Sequence, residues 1–456
     1  MASSQGTELQ ESKQATYAEK FKKLTALQII FIAFLTLVIV GGTLLSLPIS
    51  SKTGQFTHPV DALFTAVSAT CVTGLTVIDT SAHWSLFGQV ILLLLIEIGG
   101  LGFMTLVVSI FLLLNQKMSL KSRLIIQESY SLSDISSGVR VVINVLIISF
   151  LIQFCGSVLL SFAFVPKFGL VKGLWYSVFH AISAYCNAGF DLFGNSLMLY
   201  EHSPYVLMVI ASMIVCGSLG FIVMMDLLNY KKQRKLSLHT RLALTTTTFL
   251  IFGGMILFLI SDFESVSNNP AIFTMQSLFL SISQRTAGFS IQEYTLFSQA
   301  SIFLTIMLMI IGGTSGSTAG GLKTTTIGVL ALNVRSIIKR DKHTSFKNRT
   351  IPQSVVKQAY ESVFLYFFMM VIATFALLLT NPKFRVDQLL FEVISALSTV
   401  GLSMGVTPGL NIPGKIIVGI LMFIGRVGVF TIIYSLNAKD SHESLYKYPE
   451  EKVMVG

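Results

Sequence analysis

The sequence predicts an all-α integral membrane protein of four consecutive units, each a span, a short re-entrant helix and a second span, gathered about one axis. Three observations predict it. Hydrophobic residues fill 53% of the 456 positions and charged residues 12%, about half the charged share of a soluble domain. Charge-free runs recur at 24–51, 141–166, 242–261 and 362–382, each long enough for a bilayer core that takes about 20 residues. Between the spans lie four apolar stretches of 12 to 15 residues that end on glycine and are too short to cross.

In chain order, a polar tail (1–23) comes first. The apolar run behind it has the full length of a span, so a span and not a cleavable leader is expected. Eight spans follow near 24–49, 83–115, 138–165, 202–229, 240–261, 298–334, 357–381 and 412–436. They group into units at 24–116, 138–230, 240–340 and 355–437, and a tail covers 438–456. Of the 32 Lys and Arg, 23 fall on the side of the termini and 7 on the side of the short stretches. The positive-inside rule puts both termini in the cytoplasm of a cell-membrane protein. Topology thus accounts for the net charge of +10, and nucleic acid is not required as a partner. Cys71, Cys155, Cys186 and Cys216 have neither metal-site nor disulfide spacing.

Aligned on their glycines, the short stretches read SATCVTGL (68–75), SAYCNAGF (183–190), ISQRTAGF (282–289) and SALSTVGL (395–402). Phe64, Phe179 and Phe391 stand ten residues before the glycine, with Leu278 in the third copy. A further glycine follows 24 to 28 residues later, in GGLGF (99–103), GSLGF (217–221), GTSGS (313–317) and GRVGV (425–429). Non-helical backbone at membrane depth persists only where protein buries it or it lines water, and four copies meet that condition by converging. Their carbonyls would then replace the hydration shell of a cation, as in a K+-channel filter. Thr399-Val400-Gly401 matches the first three letters of that filter. The candidates are Val72, Thr73 and Gly74; Asn187, Ala188 and Gly189; Thr286, Ala287 and Gly288; and Thr399, Val400 and Gly401. Glycine is needed because such carbonyl alignment leaves the ordinary backbone regions. Pro59 with Asp61, Asn269-Pro270 and Asp387 mark starts of the short helices on the outer side, which turns their partially negative ends inward, where they favour a cation. No carboxylate ring accompanies them.

One stretch interrupts a span. GGTSGSTAGGLKTTT (312–326) lies between SIFLTIMLMII and IGVLALNV. It misses a phosphate-binding loop by one residue, because Leu322 separates Gly321 from Lys323, and it has no preceding strand. Gly312, Gly313, Gly316, Gly320 and Gly321 each cost a helix about 1 kcal/mol relative to Ala. Between them, the hydroxyls of Thr314, Ser315, Ser317 and Thr318 can satisfy freed backbone groups; Ala319 and Lys323 complete the loop.

The four filter stretches, this loop and the Arg of FIGRVGVF (423–430) resemble the membrane subunit of the Trk/Ktr/HKT superfamily of K+ transporters, over roughly residues 24–440. Length and short tails look most like the bacterial Ktr branch. The resemblance implies K+ uptake, an intramembrane loop (312–323) that gates beneath the filter, a homodimer, and regulation by a cytosolic RCK-type ring that binds nucleotides. Gly74, where Na+-transporting members tend to carry Ser, implies K+ preference; Na+ conduction, coupling or activation is the nearest alternative. No cofactor belongs to this chain, and nothing in it suits enzyme chemistry. A secondary transporter would call for two broken helices in inverted halves, whereas the sequence suggests one broken helix in four like-oriented copies. Arg426 lies deep in the last span, where a charge needs a partner; Glu392 or loop carbonyls are expected. Arg285 either lowers local K+ or braces a loop. Glu97 and Asp226 are given no transport role. The basic stretches YKKQRK (230–235) and 335–349 either face a partner or follow the positive-inside rule.

Overall fold

The computed structural model describes residues 26–102, 138–261, 270–428 and 451. The N-terminal tail, the segments 103–137, 262–269 (with Asn269) and 429–450, and residues 452–456 therefore lie outside the described residues. Unit 1 comprises α1 (Ala26–Ser46), α2 (Pro59–Thr70) and α3 (Leu86–Leu101). Unit 2 comprises α4 (Gly138–Phe168), α5 (Leu170–Cys186), α6 (Pro204–Ser218) and α7 (Phe221–Gln233). Unit 3 comprises α8 (Leu238–Ser261), α9 (Pro270–Ser283), α10 (Gln299–Ile310) and α11 (Thr324–Ile338). After a two-residue hairpin, β1 (Ser345–Phe346) with β2 (Arg349–Thr350), unit 4 comprises α12 (Gln353–Thr380), α13 (Val386–Leu397) and α14 (Ile412–Val427). The chain is an all-α membrane protein in its architecture.

Among the described residues, four helices are long and apolar enough to cross a membrane, or five if the bent pair α6–α7 counts as one span. The four belong to α1, α4, α8 and α12, the first helix of every unit. Only 22–33% of each apolar window is buried, and Phe154, Phe249, Ile260, Phe364 and Phe375 stand exposed on them. That is what an outer layer against lipid presents, since every backbone group of a helix is satisfied within it. The short helices lie inside. Phe64, Phe179 and Phe391, the residues aligned in the sequence, are all buried, as is Phe279 beside the divergent Leu278.

Packing runs in a cycle. The second helix of each unit lies on the short helix of the next: α3 on α5, α6 on α9, α10 on α13, and α14 back on α2. Lys415 Nζ of α14 bonds Asp61 Oδ1 of α2 at 2.6 Å, with side chains only 16% and 20% exposed. This pair ties the last unit to the first. Pro59 and Pro270 occupy the first turns of α2 and α9, and Asp387 the first turn of α13, as the sequence suggested.

Two expectations need correcting. The second short helix has 17 residues rather than 12 to 15, because α4 runs on to Phe168 and a single residue, Gly169 at φ 81°, turns the chain straight into it. More important, the span expected at 202–229 is broken: α6 and α7 meet at 96°. Gly220, at φ 84° and ψ 146°, cannot continue a helix. Likewise α3 and α14 end at Gly102 (φ 88°) and Gly428 (φ 93°). The expectation of a single broken helix therefore fails.

If the Asp61–Lys415 pair clasps the ring, Asp61→Asn and Lys415→Gln each cost on the order of 1–3 kcal/mol, and the double variant less than their sum. Denaturant unfolding in detergent measures this, and additive losses would show that the two residues do not couple.

Candidate functional site

Each short helix ends in the same irregular turn. Val72, Asn187, Thr286 and Thr399 have φ of 56°, 59°, 69° and 52°, and two residues on Gly74, Gly189, Gly288 and Gly401 have φ of 93°, 65°, 79° and 93°. Three of the four non-glycine residues are β-branched, for which left-handed backbone is an outlier costing about 1–3 kcal/mol each. A plain strand alternates the two sides along its length; left-handed residues at every second position undo that alternation. Left-handed backbone repeated four times at one register, strained in three of them, is a property of the site and not an accident of one loop.

Hydrogen bonding is one-sided. Thr73 N, Ala188 N and Val400 N each donate at 2.8 Å to Ser68 O, Ser183 O and Ser395 O, and Ala287 N donates to Ser283 O at 3.0 Å. Gly74 N and Gly401 N donate to the hydroxyls of Ser68 and Ser395, both at 3.1 Å. The hydroxyls of Ser183 and Ser283 hold the carbonyls of Phe190 and Phe289, just past the glycine. By contrast, the carbonyls of residues 72–74, 187–189, 286–288 and 399–401 accept no hydrogen bond among the described residues. The buried hydroxyls of Thr73 and Thr286 and the amide of Asn187 also lack a protein partner among them. Buried acceptors are seldom left so, and here they gather at one register of four segments, an arrangement whose chemistry suits a cation.

The four segments close on one another. A Cβ on Gly74 would come within 2.5 Å of Ala188 O, and one on Gly189 within 3.0 Å of Ala287 O. Gly288 likewise abuts Val400 O, and Gly401 abuts Thr73 O. Every candidate of the four filter triplets is thus brought into one ring, in chain order.

The interrupted span lies against this ring. After Ile310 the chain leaves the helix; Gly312 N donates to Leu322 O (2.9 Å) and Leu322 N to Ile310 O (3.2 Å), which closes the loop at its neck. Thr314 N bonds Ser218 O (3.0 Å), and Phe221 N bonds Gly316 O (2.9 Å), so the loop leans into the break between α6 and α7. Thr318 Oγ1 donates to Tyr185 O (3.2 Å), four residues before Gly189. Gly320 abuts Thr399 and Ser398, and Gly321 abuts Ser398. Inside the loop, Ser317 Oγ donates to Thr314 O (2.7 Å), Lys323 Nζ donates to Ala319 O (2.8 Å), and Ser315 Oγ bonds Thr325 Oγ1 (3.3 Å). All eleven loop candidates therefore belong to one knot beside the ring.

Arg426 meets one of its two expected partners. It donates to Thr318 O in the loop and, unforeseen, to the carbonyls of Gly99 and Gly100 (2.8 Å to the latter). Glu392 is not its partner: that buried carboxylate accepts from Ser403 Oγ (2.8 Å) and Thr407 Oγ1. Arg285 braces, with Nη2 reaching Gly312 O at 3.2 Å. Glu97 accepts from Gln153 Nε2 (2.9 Å) and Cys186 Sγ (3.5 Å), and Asp226 is held by Thr240 and Ser237. Sequence reasoning missed the serines that prop the ring, although three stand six residues before the glycine and the fourth five. It also missed the purpose of the later glycines: Gly99, Gly217 and Gly425 lie against the carbonyls of Thr70, Tyr185 and Leu397, where no Cβ fits.

Comparison with known proteins adds the following. The family model TrkH, a cation transport protein, matches residues 8–445. The potassium/sodium uptake protein NtpJ of Enterococcus hirae is 43% identical over 442 residues, 95% of this chain and 98% of that protein. Ktr system potassium uptake protein B of Bacillus subtilis is 37% identical over 96% of this chain and 98% of its own. In fold, the chain resembles the crystal structure of the potassium transporter TrkH from Vibrio parahaemolyticus, with a TM-score of 0.70 and 18% identity over 91% of this chain and 84% of that one.

Proposed function

The chain belongs to the TrkH family of cation transport proteins and is a transporter, not an enzyme; on that premise we propose that it takes up K+ across the cell membrane through the glycine ring, gated by the loop at 312–323. The observation that carries this reading is the one-sided hydrogen bonding at the ring. Donors are spent on the short helices and acceptors are left over, at the negative ends of four helix dipoles. Such a site strips water from a cation and replaces it with carbonyl oxygens. Relatives named for potassium uptake supply the ion. In this reading α2, α5, α9 and α13 are re-entrant pore helices in units 24–116, 138–230, 240–340 and 355–437, and eight segments span the membrane. K+ is cargo; the chain needs no cofactor.

Sodium deserves a second reading, because the 43% identical relative is named for potassium and sodium together. Na+ as an alternative cargo, or as an activator, is compatible with the same ring. For regulation, relatives are named as proteins of a Ktr system. We extend that to a homodimer resting on a cytosolic, nucleotide-binding RCK-type ring, with the loop as the part that responds.

Selectivity tests the ring. Gly74→Ser sets a side chain against Ala188 O, so apparent K+ affinity falls by about tenfold or more and discrimination against Na+ weakens. Uptake of K+, Rb+ and Na+ in cells that lack other K+ uptake measures it, and an unchanged preference in a well-expressed variant refutes the assignment.

Orientation is read with single cysteines in a chain whose native cysteines are replaced. One at Gln55, exposed between α1 and α2, reacts with impermeant thiol reagents from outside; one at Ser345, exposed in the hairpin, reacts only after permeabilisation. The reverse pattern would invert the topology.

Gating is read by shortening residues 313–321. K+ flux rises, dependence on a cytosolic partner falls, and ion preference persists because separate segments make the ring. Arg426→Ala acts in the same direction, more weakly. A shortened chain present in normal amounts that transports less, with affinity intact, would mean that the loop only supports the pore.

A further inference from the structure

Three units share a joint that the third lacks. In units 1, 2 and 4, Gly99, Gly217 and Gly425 press the second helix onto the carbonyl four residues before the ring glycine. Backbone touches backbone, and the ring segment is fixed to the helix below it. In unit 3 the helix has stopped at Ile310, and the equivalent Gly313 faces Ala319 Cβ and Ser218 O instead. None of the nearest neighbours of Gly313 is the carbonyl of Gln284, so this glycine does not make that joint.

A side chain stands there. Three residues before the ring glycine, the other units carry Cys71, Cys186 and Ser398, all small; the third carries Arg285. Its side chain is buried, the residue 4% exposed. Nη2 lies 3.2 Å from Gly312 O and 3.4 Å from Thr324 Oγ1. These two partners are the two ends of the loop, and Thr324 Oγ1 itself donates to Gly312 O at 2.9 Å. The guanidinium therefore spans, by hydrogen bonds, the place where a helix contact is missing. One nitrogen, Nη2, serves both acceptors, and the planar guanidinium holds it there more rigidly than a lysine ammonium would.

We propose that Arg285 is a positioning residue that straps both ends of the intramembrane loop to the third ring segment and so holds the loop in its obstructing place. This rests on the gating reading above. Removing the fork frees the neck of the loop without touching the ring carbonyls. Its effect is therefore on loop exposure and basal flux, ahead of any effect on ion preference.

The test uses the full chain in proteoliposomes, with native cysteines replaced and Ser317→Cys as a reporter in the loop. Membrane-permeant thiol reagent and K+ flux are followed together. Arg285→Gln raises the labelling rate several-fold and raises basal flux; Arg285→Lys falls between it and the parent. Thr324→Val, which removes one acceptor at the far end of the loop, gives the same signs and serves where Arg285→Gln does not reach the membrane. Unchanged labelling in both variants overturns the strap. Faster labelling with unchanged flux supports the strap and instead overturns the gating role of the loop.

Discussion

In a medium without water, a backbone group that leaves a helix must find its partner in protein, and the whole arrangement follows from meeting that constraint four times. A single glycine-ended turn at membrane depth would leave its carbonyls stranded, each at a cost of several kcal/mol. Four turns closing on one another convert that cost into a shared polar site. Each turn then needs its amides tied back, which the backbone carbonyls of Ser68, Ser183, Ser283 and Ser395 do, with the hydroxyls of Ser68 and Ser395 accepting from the ring glycines. Each also needs room for its neighbour's carbonyl, which the glycines provide. Strain at Val72, Thr286 and Thr399 is tolerable because packing on every side determines it.

The same economy shapes the second helices. Gly99, Gly217 and Gly425 let them approach the short helices backbone to backbone, as small residues do at helix contacts in membranes. Three residues further, Gly102, Gly220, Gly316 and Gly428 all take positive φ. The second helices of units 1, 2 and 4 run to within two residues of that register, whereas in unit 3 the helix has already stopped at Ile310. Where unit 2 resumes at once as α7, unit 3 inserts a knot that borrows hydrogen bonds from the break in unit 2, from Tyr185 of the second short helix, and from Arg426 of unit 4.

Much of this was legible in the sequence because it repeats. The ring glycines, the buried phenylalanines and the loop all stand out once four copies are aligned, and the Arg426–loop contact followed from the cost of a lone charge in lipid. Illegible features are those that depend on which unit neighbours which. Nothing local says that Gly99 and Gly100 offer carbonyls to Arg426, 327 and 326 residues away, or that Lys415 reaches Asp61. Arg285 was readable as a brace or as a charge barrier, and only the position of Gly312 and Thr324 decides between them. Gly220 was missed for another reason: the apolar run through GSLGF has no proline or charge to mark the break, and a glycine in a span reads equally as a packing residue.

The loop stands among cations rather than acids, which says something about how it is held. Arg285, Lys323 and Arg426 each donate to a loop carbonyl, at Gly312, Ala319 and Thr318. In low dielectric, charge-assisted bonds of this kind are about twice as strong as neutral ones, and they need no carboxylate that would itself attract the transported ion. The positive groups beside the loop donate to its own carbonyls, although Arg285 Nε has no protein partner among the described residues. On the gating proposed above, displacing the loop would remove those carbonyls from the arginines and the obstruction from the axis together, so that one element would carry both the steric and the electrostatic part of closure while the ring, made by other segments, keeps its geometry.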